Sequence, residues 1–441
     1  MAETIFALAS APGPAGVAVV RVSGPAAGTA LRRLAGDRRP PPRRAVLRRL
    51  RDAECALDQA LVLWFPAPAS FTGEDVAELH LHGGRAVGAA VLAALRVCPG
   101  LRPAAPGEFT RRAFENGKLD LTAAEGLADL VLAQTEAQRR QALRQLDGEL
   151  GRLYDGWRDR LVGALARLEA AIDFPDEDLP DGLLAEVNYQ ILCLLPELTQ
   201  HLDDGRRGER LREGVSVALI GPPNAGKSSL LNRLARREAA IVAATAGTTR
   251  DVIEVQLDLG GYPVVLADTA GLQTARDEVE AEGVRRALAH AAQADLKIVL
   301  FDACDWPEID ARTVALIDAD SIVVLNKGDL TIVPEPVRIG GRPARLVSVR
   351  TGSGMNELLS VLTDAVAERM GFSEAPTLTR GRHREAVEDC RAALDRARSA
   401  GLPELVAEDL RLAVRALGRI TGRVDVEDIL DVVFREFCIG K

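Results

Sequence analysis

The 441-residue sequence has no apolar run of about 18 residues, and no positively charged leader precedes an apolar core. These absences argue against a membrane span and a signal peptide. The six cysteines (Cys55, Cys98, Cys193, Cys304, Cys390 and Cys438) are scattered without a CxxC pair. A disulfide framework or a zinc site needs paired spacing, so neither is expected, and a reducing, cytoplasmic setting is. Excess positive charge is missing too: the net charge is −9. A protein whose main task was gripping nucleic-acid phosphates would be basic, so RNA contact is expected to be local. Internal repeats and long low-complexity segments are absent.

Lysine is scarce. Of 55 basic residues only five are lysine: Lys118, Lys227, Lys297, Lys327 and Lys441. On a solvated surface arginine and lysine serve equally. A lysine that persists marks a place where a compact ammonium is needed and a planar guanidinium does not fit, with chance survival as the alternative.

What is present suits a soluble chain of two or three domains, with 47% apolar and 27% charged residues. Residues 1–118 mix short β-type runs, at 17–22 and 60–65, with Gly/Pro punctuation, which predicts a small α+β domain. Within it, residues 32–51 carry nine arginines around Pro40, Pro41 and Pro42. They form either an RNA-contacting patch or a solvated loop and hairpin. Residues 119–212 show helical periodicity, with Leu121, Leu127, Leu130, Leu150, Leu153, Trp157, Leu161, Leu165 and Leu168 among the apolar positions. Residues 376–441 return to that style. Between them, 213–375 alternates strand and helix signals. The expected architecture is an N-terminal α+β domain followed by a helical domain interrupted by a P-loop α/β domain, whose ends must lie close together.

The insert carries nucleotide motifs. The apolar run Val215–Ile220 ends in Gly221-Pro222-Pro223-Asn224-Ala225-Gly226-Lys227-Ser228, followed by a helical stretch from Ser229. In this GxxxxGK[ST] pattern the glycines turn backbone N–H groups toward phosphates and the helix N-terminus adds its dipole. Lys227 is expected to reach the β- and γ-phosphates and the Ser228 hydroxyl to bind Mg²⁺. Asp268-Thr269-Ala270-Gly271 follows a second strand, with Asp268 lying 41 residues after Lys227. Asp268 is expected to hold Mg²⁺ through water, and the Gly271 N–H to sense the γ-phosphate. Asn326-Lys327-Gly328-Asp329 follows a third strand; the Asp329 carboxylate can accept two N–H donors that guanine has and adenine lacks. Ser348-Val349-Arg350 fits the loop supporting the base. Thr248-Thr249-Arg250-Asp251 sits where a switch loop closes over the γ-phosphate, with Thr249 as the Mg²⁺-sensing hydroxyl. These motifs together, each in its expected place along the chain, predict a GTPase.

The residue after Gly271 is Leu272, which cannot orient water as the glutamine of Ras-like proteins does. Asp277, Glu278, Glu280 and Glu282 follow; one of them can orient water, or all form a solvated helix face. The Asn224 carbonyl oxygen is placed to coordinate a monovalent cation, which would supply the charge an arginine finger otherwise gives.

These P-loop and switch motifs, the Ala246-Gly247-Thr248-Thr249-Arg250-Asp251 stretch and the terminal Phe437-Cys438-Ile439-Gly440-Lys441 resemble the MnmE (TrmE) family of tRNA uridine-modification GTPases. So do Val20-Arg21-Val22-Ser23-Gly24, Phe71-Thr72-Gly73-Glu74-Asp75, Glu78 through Gly84, Pro106 through Thr110 and Lys118-Leu119-Asp120-Leu121, so the likeness spans the chain. The resemblance implies a homodimer formed through the N-terminal domains, with 5-formyltetrahydrofolate held by Arg21, Glu78, Lys118 and Lys441. Without it, Arg21 and Glu78 read as a fold-stabilising pair. It implies Glu280 as the catalytic carboxylate, joined in the switch by Arg250 and Asp251. It implies K⁺ held by Asn224 and by the 243–248 loop (Ala243, Thr245, Thr248). Cys438 is either a chemical thiol or a small buried residue beside the folate. The implied partners are tRNA and an MnmG-like flavoprotein that carries the FAD in a heterotetramer. The implied product is an aminomethyl or carboxymethylaminomethyl group on carbon 5 of the wobble uridine. Two alternatives remain: a ribosome-assembly RNA-binding switch, for which no basic module or second G domain is visible, and a signalling switch, which leaves Lys118 and Lys441 unexplained.

Overall fold

In the computed structural model, the described residues are 3–53, 55–173, 183–236, 240–241, 253–268, 292–334, 336–371, 376–424, 430, 433–435, 437–438 and 440. They fall into two compact units. One comprises residues 1–128, 144–194 and 389–441; the other comprises 129–143 and 195–388. Among the described residues no helix is long and apolar enough to cross a membrane.

The first unit holds β1 (Thr4–Leu8), β2 (Ala15–Ser23), β3 (Val46–Asp52), β4 (Cys55–Phe65), β5 (Val76–Gly83) and β6 (Leu101–Pro103), ordered β3-β4-β5-β2-β1-β6. Period-two alternation in β2 sends Ala18, Val20 and Val22 to one face, where they are buried against helices Ala27–Ala35 and Arg85–Arg96. Arg21 therefore falls on the opposite face. Helix Glu149–Asp173 buries Leu150, Tyr154, Trp157, Leu161, Ala164 and Leu168 at alternating steps of four and three. The structure thus puts Tyr154 and Ala164 in the stripe where leucine spacing alone favours Leu153 and Leu165, which are half-buried at its edge. This helix packs on Pro403–Thr421, whose Ala407, Ala413 and Ala416 are buried. Small residues there let two helix axes come close.

Among the described residues the second unit holds eight strands: β7 (Val215–Ile220), β8 (Ala240–Ile241), β9 (Ile253–Leu259), β10 (Tyr262–Asp268), β11 (Leu296–Asp302), β12 (Ser321–Asn326), β13 (Val337–Ile339) and β14 (Arg342–Leu346). Their order is β13-β14-β12-β11-β7-β10-β9-β8. The run β10-β7-β11-β12-β14 is parallel, with antiparallel strands at both edges. Every residue of β12 is buried, as expected of a parallel strand covered on both faces. On one face lie Leu230, Leu231 and Leu234 of helix Lys227–Ala235 and Met355, Leu358 and Leu362 of helix Met355–Met370. On the other, Phe301, Val323 and Leu325 meet Val333 and Ile339. Parallel alignment brings the C-terminal ends of β7, β10, β12 and β14 to one edge, where open α/β sheets place their ligand sites.

Candidate nucleotide site

The loop after β7 is shaped by its glycines. A Cβ on Gly221 would sit 2.2 Å from the Leu300 carbonyl oxygen. Gly226 has φ +101°, and a Cβ there would sit 2.3 Å from Asn326 Nδ2. Only glycine meets both demands at 226. Asn224 at the loop tip is exposed with φ +61°, a conformation asparagine tolerates better than most side chains. Helix Lys227–Ala235 starts at once, so its free N–H groups point back toward the loop. Lys227, 6% exposed, donates from Nζ to the carbonyls of Gly221 at 2.7 Å and Pro222 at 2.9 Å. Its charge is thereby held within the loop. Ser228 and Ser229 are exposed on the first turn.

Asn326, 3% exposed, joins two loops. Its Nδ2 donates to the Ala225 carbonyl at 2.9 Å, and its Oδ1 accepts from the Val349 N–H at 3.1 Å. The phosphate-type loop and the base-type loop are therefore fixed to one side chain. Asp329 accepts from the Ser348 hydroxyl at 2.6 Å and lies 3.1 Å from Arg350 Nη2. The Ser348 hydroxyl, with Arg350 beside it, holds the Asp329 carboxyl below the usual carboxylate range. Ser348 in turn accepts from the Thr351 N–H at 3.1 Å. Lys327, at φ +65°, extends its ammonium to Asp302 Oδ2 at 2.5 Å. Burial pushes the Asp302 carboxyl up, but the Lys327 and Cys304 hydrogen bonds outweigh it and the net shift is downward.

These groups face an open cleft of about 1170 Å³. Of the residues expected from sequence, Asn224, Gly226, Lys227, Ser228, Ser229, Asn326, Lys327, Asp329, Val349 and Arg350 line it. Ala225 and Ser348 stand behind the lining as buried supports. Asn232, Arg233, Arg236 and Leu330 also line it and were not expected. A signal for the first three exists in the sequence: with Ser229 they share one helix face at spacings of three, four and seven. Asp302 was missed as well, because its partner lies 25 residues away, just past the end of another strand. Lys297, unassigned at first, is paired with Asp318 at 2.5 Å.

Ala243, Thr245, Thr248, Thr249, Arg250, Asp251, Thr269, Ala270, Gly271, Leu272, Asp277, Glu278, Glu280, Glu282 and Lys441 lie outside the described residues. Asp268 ends β10, and nothing further of it is described.

In the first unit, Arg21 and Glu78 face each other across β2 and β5, with Nε to Oε1 at 3.0 Å. The Arg21 guanidinium lies over Phe71 and Phe109, at 5.3 and 5.7 Å from the ring centroids. Lys118 Nζ donates to the Pro68 carbonyl at 3.1 Å. Loop 66–75 thus touches both cations. At the other end of the chain, a Cβ on Gly440 would meet the Leu8 carbonyl at 2.2 Å. Leu8 pairs with Val20, next to Arg21, so sequence extremes meet at this strand. Cys438 is exposed.

Comparison with known proteins adds to this geometry. The family described as "GTP-binding protein TrmE N-terminus" matches residues 4–118, and the one described as "MnmE helical domain" matches 121–438. The chain is 61% identical to the tRNA modification GTPase MnmE of Paramagnetospirillum magneticum over 442 residues, covering 100% of each. It is 60% identical to that of Parvibaculum lavamentivorans over 448 residues, again covering 100% of each. The G domain of the T. maritima FeoB iron transporter aligns at 25% identity and TM-score 0.27, covering 35% of this chain and 99% of that one.

Proposed function

Because the chain belongs to the MnmE (TrmE) family of tRNA modification GTPases, and so is a GTP hydrolase acting in tRNA modification, we propose that it is the K⁺-activated member of a two-protein system that installs an aminomethyl or carboxymethylaminomethyl group at carbon 5 of the wobble uridine. The observation that carries the nucleotide half is the Asn326 bridge between the Lys227 loop and the Asp329–Ser348 loop. It spaces a phosphate cradle and a guanine acceptor as one rigid site.

In this reading Asp329 accepts the guanine N–H pair, Ser348 and Arg350 fix that carboxylate, and Lys227 turns from the loop carbonyls to the β- and γ-phosphates. Ser228 and Thr249 would hold Mg²⁺, which supplies charge neutralisation at the phosphates. The exposure of Ser228 on the cleft wall fits that role. Asn224 at the exposed loop tip, with the backbone at Ala243, Thr245 and Thr248, would hold K⁺. Glu280 orients the attacking water, with Arg250 and Asp251 shaping the switch around it. Thr269, Ala270 and Gly271 complete the phosphate sensor.

For the second half, Arg21, Glu78, Lys118 and Lys441 bind 5-formyltetrahydrofolate as the one-carbon donor. Support comes from the Arg21–Glu78 pair on the open sheet face, from loop 66–75 touching Arg21 and Lys118, and from Gly440 packed beside that strand. The open face itself, with Val17 and Leu61 exposed, suits a homodimer through residues 1–118. Residues 119–212 and 376–441 would form the helical domain around a G domain at 213–375. FAD resides on the MnmG-like partner, in the cytoplasm.

Calorimetric titration with 5-formyltetrahydrofolate tests this half. Micromolar-range binding abolished by Arg21→Ala supports it. Absence of binding in the wild-type protein removes folate chemistry from the account.

A further inference from the structure

The stretch 32–51 holds nine arginines against one aspartate, in a chain whose net charge is −9. Many arginines elsewhere are neutralised, among them Arg102 by Glu108, Arg112 by Glu74, Arg384 by Asp204 and Arg423 by Asp155. In 32–51, among the described residues, only Arg33 has a carboxylate within ion-pair distance, Asp52 at 3.5 Å.

The stretch is also ordered by its own contacts. Arg39 stacks on Trp64, with its guanidinium 5.0 Å from the ring centroid, and Arg43 donates to the Ala69 carbonyl at 2.7 Å. Those two anchor the loop. Arg38 and Arg44 on the loop, and Arg49 and Arg51 on β3, keep exposed guanidinium groups with no hydrogen-bond or ion-pair partner among the described residues. Because β3 is the edge strand, the row from Arg44 to Arg51 is laid out along an open rim, roughly 23 Å at the strand rise of about 3.3 Å per residue. Charges on an edge strand can serve merely to block edge-to-edge pairing, but that purpose accepts either sign. A one-signed, unpaired row costs self-repulsion, which a polyanion relieves.

We propose that this arginine rim is a tRNA-binding surface, contacting backbone phosphates without reading bases. The proposal rests on the role of the chain in tRNA modification and adds where the chain itself touches the RNA.

The test is fluorescence anisotropy of an unmodified tRNA transcript with a wobble uridine, titrated with the full-length protein at several salt concentrations. Two variants are compared: Arg38→Gln, Arg44→Gln, Arg49→Gln and Arg51→Gln combined, and the same four positions changed to lysine. Each phosphate contact contributes about 0.7–0.9 to the slope of log K against log salt. The glutamine variant is expected to bind about 10- to 100-fold more weakly near 0.1 M salt, with a slope shallower by about 2–3. The lysine variant keeps the slope, and GTP hydrolysis is unchanged in both. Unaltered affinity and slope in the glutamine variant overturn the proposal, as does equal loss in the lysine variant, which would mean a structural role. So does wild-type protein that binds anionic phospholipid vesicles but not tRNA. Modification analysis of cellular tRNA with the chain deleted is independent: unchanged wobble uridine there overturns the underlying role, not the rim alone.

Discussion

Asp329 and Asn326 are single residues on which the site depends, and they fail differently. Asp329 supplies an acceptor. Asp329→Asn keeps one oxygen but replaces the other with a donor, which suits the oxygen at position 2 of xanthine and repels the guanine amine. GTP affinity should fall about 100-fold, by the 1.5–3 kcal/mol of a charged hydrogen bond, while affinity for xanthosine triphosphate rises; calorimetry with both nucleotides measures this. The pH behaviour follows from the depressed carboxyl. A lowered pKa means the acceptor is fully present above the ordinary value near about 3.9 and is lost only as pH falls through the lower one. GTP affinity, so far as Asp329 sets it, is expected to stay flat from about pH 8 to about pH 5. Asn326 supplies no ligand contact in this reading. Asn326→Ala strands the Ala225 carbonyl and the Val349 N–H, costing about 1–3 kcal/mol for each group left bare. Urea unfolding should show that loss, together with weaker binding of GTP and xanthosine triphosphate alike.

At the scale of elements, the turn into helix Lys227–Ala235 is a tightly constrained join in the second unit. Gly226→Ala forces a side chain into φ +101° and against Asn326 Nδ2. The expected outcome is more than tenfold weaker GTP binding with an unchanged circular dichroism spectrum. The C-terminal segment is the corresponding join in the first unit. Phe434, 3% exposed, packs with Phe114 and Phe437 at centroid distances of 6.4 and 5.7 Å. Phe434→Ala should cost about 3–5 kcal/mol locally, seen as lost hydrogen-exchange protection around residues 433–438. The two joins were unequally legible. Glycine spacing and apolar strands place the P-loop because its chemistry is local in sequence. The packing of Phe434 on Phe114, the Arg39–Trp64 stack and the Lys327–Asp302 pair join distant positions, and no periodicity carries such pairings. Tyr154 and Ala164 show a smaller failure of the same kind: leucine spacing finds the helix but not its facing, which is set by the alanine-rich surface of Pro403–Thr421.

At the scale of the whole molecule, the GTP site lies in one compact unit, and the proposed folate site and arginine rim lie in the other. The sequence motifs for both sites were readable; the rim's lack of neutralising partners needed the structure. The central claim is that this chain hydrolyses GTP with K⁺ as its activator and Glu280 orienting water. The most direct measurement is the GTP hydrolysis rate of wild type and Glu280→Ala, each in KCl and in NaCl at equal ionic strength. The account predicts strong stimulation by K⁺ over Na⁺ in wild type, lost in Glu280→Ala with GTP binding retained. Equal wild-type rates in the two salts would contradict the Asn224–K⁺ mechanism, and full activity in Glu280→Ala would contradict the catalytic assignment.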